Sequence, residues 1–198
     1  MTDISAPVRS VNPRACLALA YTLGVPRDYA RVRTLKRVRE PRHLAFIGHD
    51  TQSRPQWLAP RAARAWARMR DAAARDGVEL QVVSAFRGVE YQLGILKRKL
   101  ECGLDIEEIL RVSAAPGYSE HHSGRALDIT TPGLAALEEH FDKYAAFVWL
   151  STNAQSYGFR LSYPRGNPHG IAYEPWHWCW HVVRGSRQSV AENITPPP

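Results

Sequence analysis

The chain has 198 residues, 44% of them hydrophobic, with six tryptophans and a formal net charge of +7. That length suits one domain that can bury a sizeable core, and no apolar run approaches the roughly 20 residues of a membrane-spanning helix. The positive charge gathers between Arg9 and Arg42, where arginines alternate with prolines; this pattern reads as solvated surface suited to an anionic polymer such as a cell wall, and nucleic acid is not the expected partner.

In chain order, residues 1–42 read as a partly irregular N-terminal extension with one helix near Arg14 to Leu23, stopped by Gly24-Val25-Pro26. Met1 to Ser5 carries no basic stretch and no clean apolar run follows it, so a signal peptide is not predicted. The sequence thus points to the cytoplasm, with action at the wall open to export by another route. A domain is expected over 43–190 and a frayed tail over 191–198, which ends in three prolines.

Leu44 to Ile47 is a short strand candidate ended by Gly48. Pro60 to Arg75 is an amphipathic helix, with Ala62, Trp66, Met69 and Ala73 at helical spacing and Gly77 as its stop. Val78 to Phe86 reads as a strand and Gly88 to Leu100 as a helix. A short helix follows to Arg111, capped by Asp105. Arg125 to Thr130 alternates as a strand, with Ala126, Asp128 and Thr130 on one face and Leu127 and Ile129 on the other. Gly133 to Tyr157 predicts a long helix whose apolar face is Leu134, Leu137, Phe141, Tyr144, Ala145 and Val148. Phe159 to Tyr163 and Trp176 to Val183 complete the strands. Helices and strands mix without a βαβ repeat, which predicts an α+β fold.

Three cysteines, Cys16, Cys102 and Cys179, form no close pair and read as reduced thiols. Of the eight histidines, His43, His49, His140 and His169 read as ordinary surface or core residues. Two segments carry chemistry: Ser119 to Asp128 and Tyr173 to His177. A catalytic zinc needs three protein ligands and an open position. His121 and Asp128 sit at a loop end and on the strand after it, with Gly124 turning the chain between them, and His177 arrives from a distant strand. Glu174 is the candidate general base, because Pro175 cannot join a strand ladder and frees Glu174 to lean over the metal. Alternatives remain at this level. His122 could replace His121, Cys179 and His181 could build a thiolate site with His177, and Asp128 could be a partner of Arg125.

The ordered motifs Ser119-x-His121-x-x-Gly124-x-Ala126-x-Asp128 and Glu174-Pro175-Trp176-His177 resemble the paired signature of the VanY-type D-alanyl-D-alanine carboxypeptidases. Ser84-Ala85-Phe86-Arg87, followed by Gln92, resembles a third block of that family, as does Ala115-Pro116-Gly117 before Ser119. The likeness runs from about Phe46 to Val183. It implies the hedgehog/D,D-peptidase fold, a small, mainly antiparallel sheet with helices packed on it. It implies one zinc ion on His121, Asp128 and His177, with Glu174 as base. Arg87 would contact the substrate carboxylate or the oxyanion, and Ser84, Gln92 and Ser119 would line the site. The implied substrates are peptidoglycan stem peptides or muropeptides, cut by an enzyme expected to be a monomer that removes a terminal D-alanine with D,D- or L,D-specificity. A peptidoglycan endopeptidase of the endolysin kind and a non-catalytic zinc-containing wall-binding module are the alternatives. Relatives are expected to carry Trp-Arg-Tyr where this chain has Trp178-Cys179-Trp180 after His177, so the surroundings of the metal should differ while the ligands stay.

Overall fold

The computed structural model describes residues 12–182 together with Pro7 and Ser10; the tail expected at 191–198 lies outside the described residues. The longest helix among the described residues is α3, Pro60–Arg75. Proline supplies the first turn, where its missing N–H is not needed. Ala62, Ala65, Trp66, Met69, Ala72 and Ala73 form one buried stripe. At the end, Gly77 takes φ +75°. The N–H of Val78 then bonds to Ala73 O at 2.8 Å and that of Gly77 to Ala74 O at 3.1 Å, a Schellman closure.

The α3 stripe packs on a four-stranded antiparallel sheet. Its strands are β3 (Gln81–Ser84), β4 (Ala126–Thr130), β5 (Phe159–Leu161) and β6 (His177–Trp180), in the spatial order β3-β4-β6-β5. Alternation along β4 and β6 sends Leu127, Ile129, Trp178 and Trp180 into the core with Trp66 and Met69. The intervening residues, Asp128 and His177, therefore face the other way, and the register sets them directly opposite each other. A second apolar cluster covers that side. Here α1 (Pro13–Thr22) and α2 (Tyr29–Val32) pack with α4 (Val89–Glu101) and α5 (Ile106–Arg111) through Leu17, Tyr29, Leu93, Leu96 and Ile109. Asp105 caps α5 in a capping box with Glu108. The N-terminal helices are thus part of a core, and the polar face of the sheet lies between two apolar clusters.

Two expectations are corrected. The strand near Leu44 does not stop at Gly48. It spans Ala45–His49 and pairs with a further strand, Pro55–Leu58, the register shifting between Phe46 and Gly48. The helix expected over 133–157 is three pieces: Glu139–Lys143 as 3-10, Ala145–Asn153 as α-helix (α6) and Ala154–Tyr157 as 3-10. Leu137 is left-handed at φ +60° and Tyr144 is extended at ψ 151°. That extended residue resets the helical phase. The buried positions become Phe141, Ala146, Trp149, Leu150 and Ala154, while Leu137, Tyr144 and Val148 are exposed.

Candidate active site

His121 sits in a 3-10 turn, Glu120–Ser123, that Gly124 ends with φ +63°. Only glycine fits there without strain, because a Cβ would also meet the backbone N of Ala59 at 2.9 Å. The turn and β4 bring His121 beside Asp128, Nε2 to Oδ2 at 3.3 Å. His177 Nδ1 lies 3.1 Å from Asp128 Oδ1. All three residues are buried, and one ligand atom from each falls within 4.8 Å of the others. Glu174 reaches over the group, Oε2 at 3.8 Å from His177 Nδ1. Its N–H bonds to Tyr163 O, and the N–H of His177 bonds back to Glu174 O, so a turn holds the carboxylate outside the strand.

Each imidazole is aimed by its other nitrogen. The Nδ1–H of His121 donates to Ala85 O at 2.6 Å, which leaves the Nε2 lone pair facing Asp128. That Nε2 is buried with no hydrogen-bond partner. Glu120 Oε2 lies 3.0 Å from His177 Nε2 and aims Nδ1 into the group. An orphaned buried imidazole nitrogen, a second aimed imidazole and a buried carboxylate make a donor set suited to a borderline divalent cation such as zinc, and two of the three have the outer partners that usually orient such ligands. These residues would hold the metal.

The titration properties of the group follow from burial and charge. Burial lowers the pKa of His121, Arg87 adds to this, and Asp128 opposes it, leaving about 4. Burial would lower His177 too, but its hydrogen bonds and charge contacts with Asp128 and Glu120 outweigh that and lift it to about 10. Asp128 is driven well below the usual carboxylate range by the two histidines against the effect of burial. Burial raises Glu174 to about 7, with His177 opposing and Asp128 reinforcing. A carboxylate poised near neutrality over a candidate metal position is suited to proton transfer.

The alternatives left by the sequence resolve in the geometry. The Nδ1–H of His122 donates to Arg87 O and its Nε2 accepts from Gly117 N–H, so neither nitrogen faces the group. Cys179 and His181 converge on Glu120, on the outer side of His177, rather than on the His121–Asp128–His177 group. Asp128 contacts the two histidines and not Arg125. Arg87 borders the group, its Nε buried without a partner. It lines two adjoining cavities: one of about 270 Å3 with Ser119, Glu174 and His177, and one of about 440 Å3 with Ser84, Phe86 and Tyr91. Gln92 lines neither. Its Nε2 donates to Ser113 Oγ and Ala114 O, so it shapes the wall of the smaller cavity from behind.

Sequence reasoning missed Glu120, Tyr163 and Lys99. Glu120 neighbours His121, but nothing in its spacing reveals that it bonds to His177, 57 residues away. Tyr163 packs its ring 4.8 Å from that of His177 and lines the smaller cavity with Lys99; both are brought there only by the tertiary fold.

A family profile described as VanY, D-alanyl-D-alanine carboxypeptidase, matches residues 55–183. The chain belongs to that family. YodJ of Bacillus subtilis is 37% identical over 176 residues, which is 84% of this chain and 60% of YodJ; the chain therefore spans less than two thirds of that relative. The bifunctional D-Ala-D-Ala dipeptidase and carboxypeptidase VanXYC of Enterococcus gallinarum is 33% identical over 81% of this chain and 85% of its own length. Among solved structures, the LD-carboxypeptidase LdcB superposes with a TM-score of 0.63 at 32% identity, over 71% of this chain and 69% of its own. A D,D-pentapeptidase VanY variant from a VanB-type vancomycin-resistance cassette, in complex with Zn(II), superposes with a TM-score of 0.56 at 25% identity, over 74% of this chain and 85% of that one. The α+β fold expected from the sequence is the fold of these carboxypeptidases.

Proposed function

We propose that the protein is a zinc carboxypeptidase, acting as a monomer on peptidoglycan stem peptides or muropeptides and releasing a terminal D-alanine, with one metal ion held by His121, Asp128 and His177. The observation that carries this reading is the buried two-histidine, one-carboxylate group with Glu174 leaning over it, set where two substrate-sized cavities meet.

When bound, the metal supplies a Lewis acid that makes a water acidic near neutral pH and polarises the scissile carbonyl. The remaining work belongs to the chain. Glu174 takes the proton of the attacking water and returns it to the leaving amine. Its raised pKa suits both halves of that exchange. Arg87, with donors at the junction of the cavities, stabilises the oxyanion that develops on the carbonyl. Glu120 and the Ala85 carbonyl hold the two imidazoles in place, and Gln92 fixes the 113–114 segment that borders the leaving residue.

The reading is tested by incubating the zinc-loaded protein with tetrapeptide and pentapeptide muropeptides and weighing the products. Loss of one alanine from the pentapeptide assigns D,D-activity and loss from the tetrapeptide assigns L,D-activity. Cut stems or cross-links without release of a terminal alanine would replace the proposal with an endopeptidase, and unchanged substrates with a binding module.

A further inference from the structure

The two cavities that meet at Arg87 are not equivalent. The larger runs past Trp57, Phe86 and Tyr91 toward Arg54. The smaller runs past Glu174 and ends against the C-terminal half of α4 and the segment after α5, at Lys99 and Val112. Arg87 and Asp128 line both; Lys99 lines only the smaller.

Lys99 is half-buried in the last turn of α4. Burial pushes its pKa down and the like charge of Arg87 pushes it further, with Glu174 alone pulling it back. Among the described residues no carboxylate lies within ion-pair distance of its ammonium, so two cations, Lys99 and Arg87, line one cavity whose acids, Asp128 and Glu174, both sit against His177 at the metal end. An unpaired, half-buried ammonium beside a guanidinium is unfavourable on its own, and an anion inside the cavity would offset both the desolvation and the repulsion.

We propose that Lys99 is the receptor for the free α-carboxylate of the leaving residue. The smaller cavity thereby selects a chain end, and Arg87, at the junction, is left to face the scissile carbonyl. The inference rests on the carboxypeptidase reading for the identity of the leaving residue. It assigns the exo-specificity of the site to one side chain 22 residues before His121 in sequence.

The test separates binding from turnover. In the zinc-loaded Glu174→Gln protein, calorimetry compares D-alanyl-D-alanine with its C-terminal amide. The free acid should bind about 10- to 100-fold more tightly, the range expected for a charge-assisted hydrogen bond. Adding Lys99→Met should bring the acid down to the affinity of the amide, and Lys99→Arg should restore most of the preference. In the otherwise unaltered enzyme, Lys99→Met should raise KM for acid-terminated stem peptides while kcat stays within a few-fold. A merely structural lysine would weaken acid and amide alike. Preference for the acid that survives in Lys99→Met, or no preference in the parent, overturns the proposal. A preference governed by Lys99 in a protein that hydrolyses nothing would sink the carboxypeptidase reading and leave the carboxylate receptor standing.

Discussion

Replacing Glu174 with glutamine should stabilise the metal-free protein, and by an amount that depends on pH. The side chain is only 12% exposed, and burial raises its pKa from 4.5 to about 7. The folded pKa lies above the unfolded one. Between these values the unfolded chain has released a proton that the folded chain retains, so stability falls as pH rises through the window and the full penalty is present above pH 7 or so. A rise of this size corresponds to roughly 3 kcal/mol. Glutamine keeps the shape and never ionises, so the variant escapes the penalty. Thermal unfolding followed by circular dichroism in the presence of chelator should show equal Tm at pH 4. At pH 8 the Gln variant should melt higher by roughly 6–12 °C, given about 2–4 °C per kcal/mol for a chain this long. A difference that is flat with pH, or a wild-type protein that is the more stable at pH 8, would refute the argument that the cleft holds Glu174 against its ionised form.

Further outcomes follow from the same contacts. The zinc-loaded Glu174→Gln protein should keep its metal while turnover of stem peptides drops on the order of 10²–10⁴-fold, the usual worth of a general base; metal analysis beside a D-alanine assay checks both. In the metal-free protein His177, lifted to about 10 by Asp128 and Glu120, holds a proton that the metal must expel. Metal uptake at pH 7 should therefore release protons, and affinity should climb with pH up to about 10, as calorimetry in buffers of different ionisation enthalpy would show. Glu120→Gln should weaken metal binding by about 10- to 100-fold in a chelator competition, because His177 loses the carboxylate that aims its ring. Gly124→Ala should destabilise the fold by roughly 1–3 kcal/mol in denaturant titration, since the position is left-handed and a Cβ would crowd Ala59.

The parts of this molecule that the sequence disclosed are those written in local periodicity. The α3 helix is bounded by its proline and glycine, α5 by its capping aspartate, and β4 alternates between core and site faces. His121 and Asp128 were legible as neighbours because a glycine turn leads from one into the strand of the other, whereas the arrival of His177 from a strand 49 residues on, and the choice of this set over one with His122 or a Cys179–His181 site, rested on the resemblance to the carboxypeptidase family. What the sequence hid depends on distant packing. The segment 133–157 has helical periodicity throughout, yet Tyr144 in an extended conformation divides it and shifts which side chains are buried. The N-terminal helices read as an extension but pack Leu17 and Tyr29 into the cluster around α4. Glu120 and Lys99 carry no motif, and their roles rest on where the tertiary fold places them.

The measurement that bears most directly on the whole account is the amount of free D-alanine released from a stem peptide by one preparation of the protein as isolated with zinc, after its metal is stripped, and after zinc is restored. The account predicts release that vanishes with the metal and returns with about one equivalent per chain. Release that persists in the stripped protein, or its absence from a protein shown to carry one zinc, would contradict it.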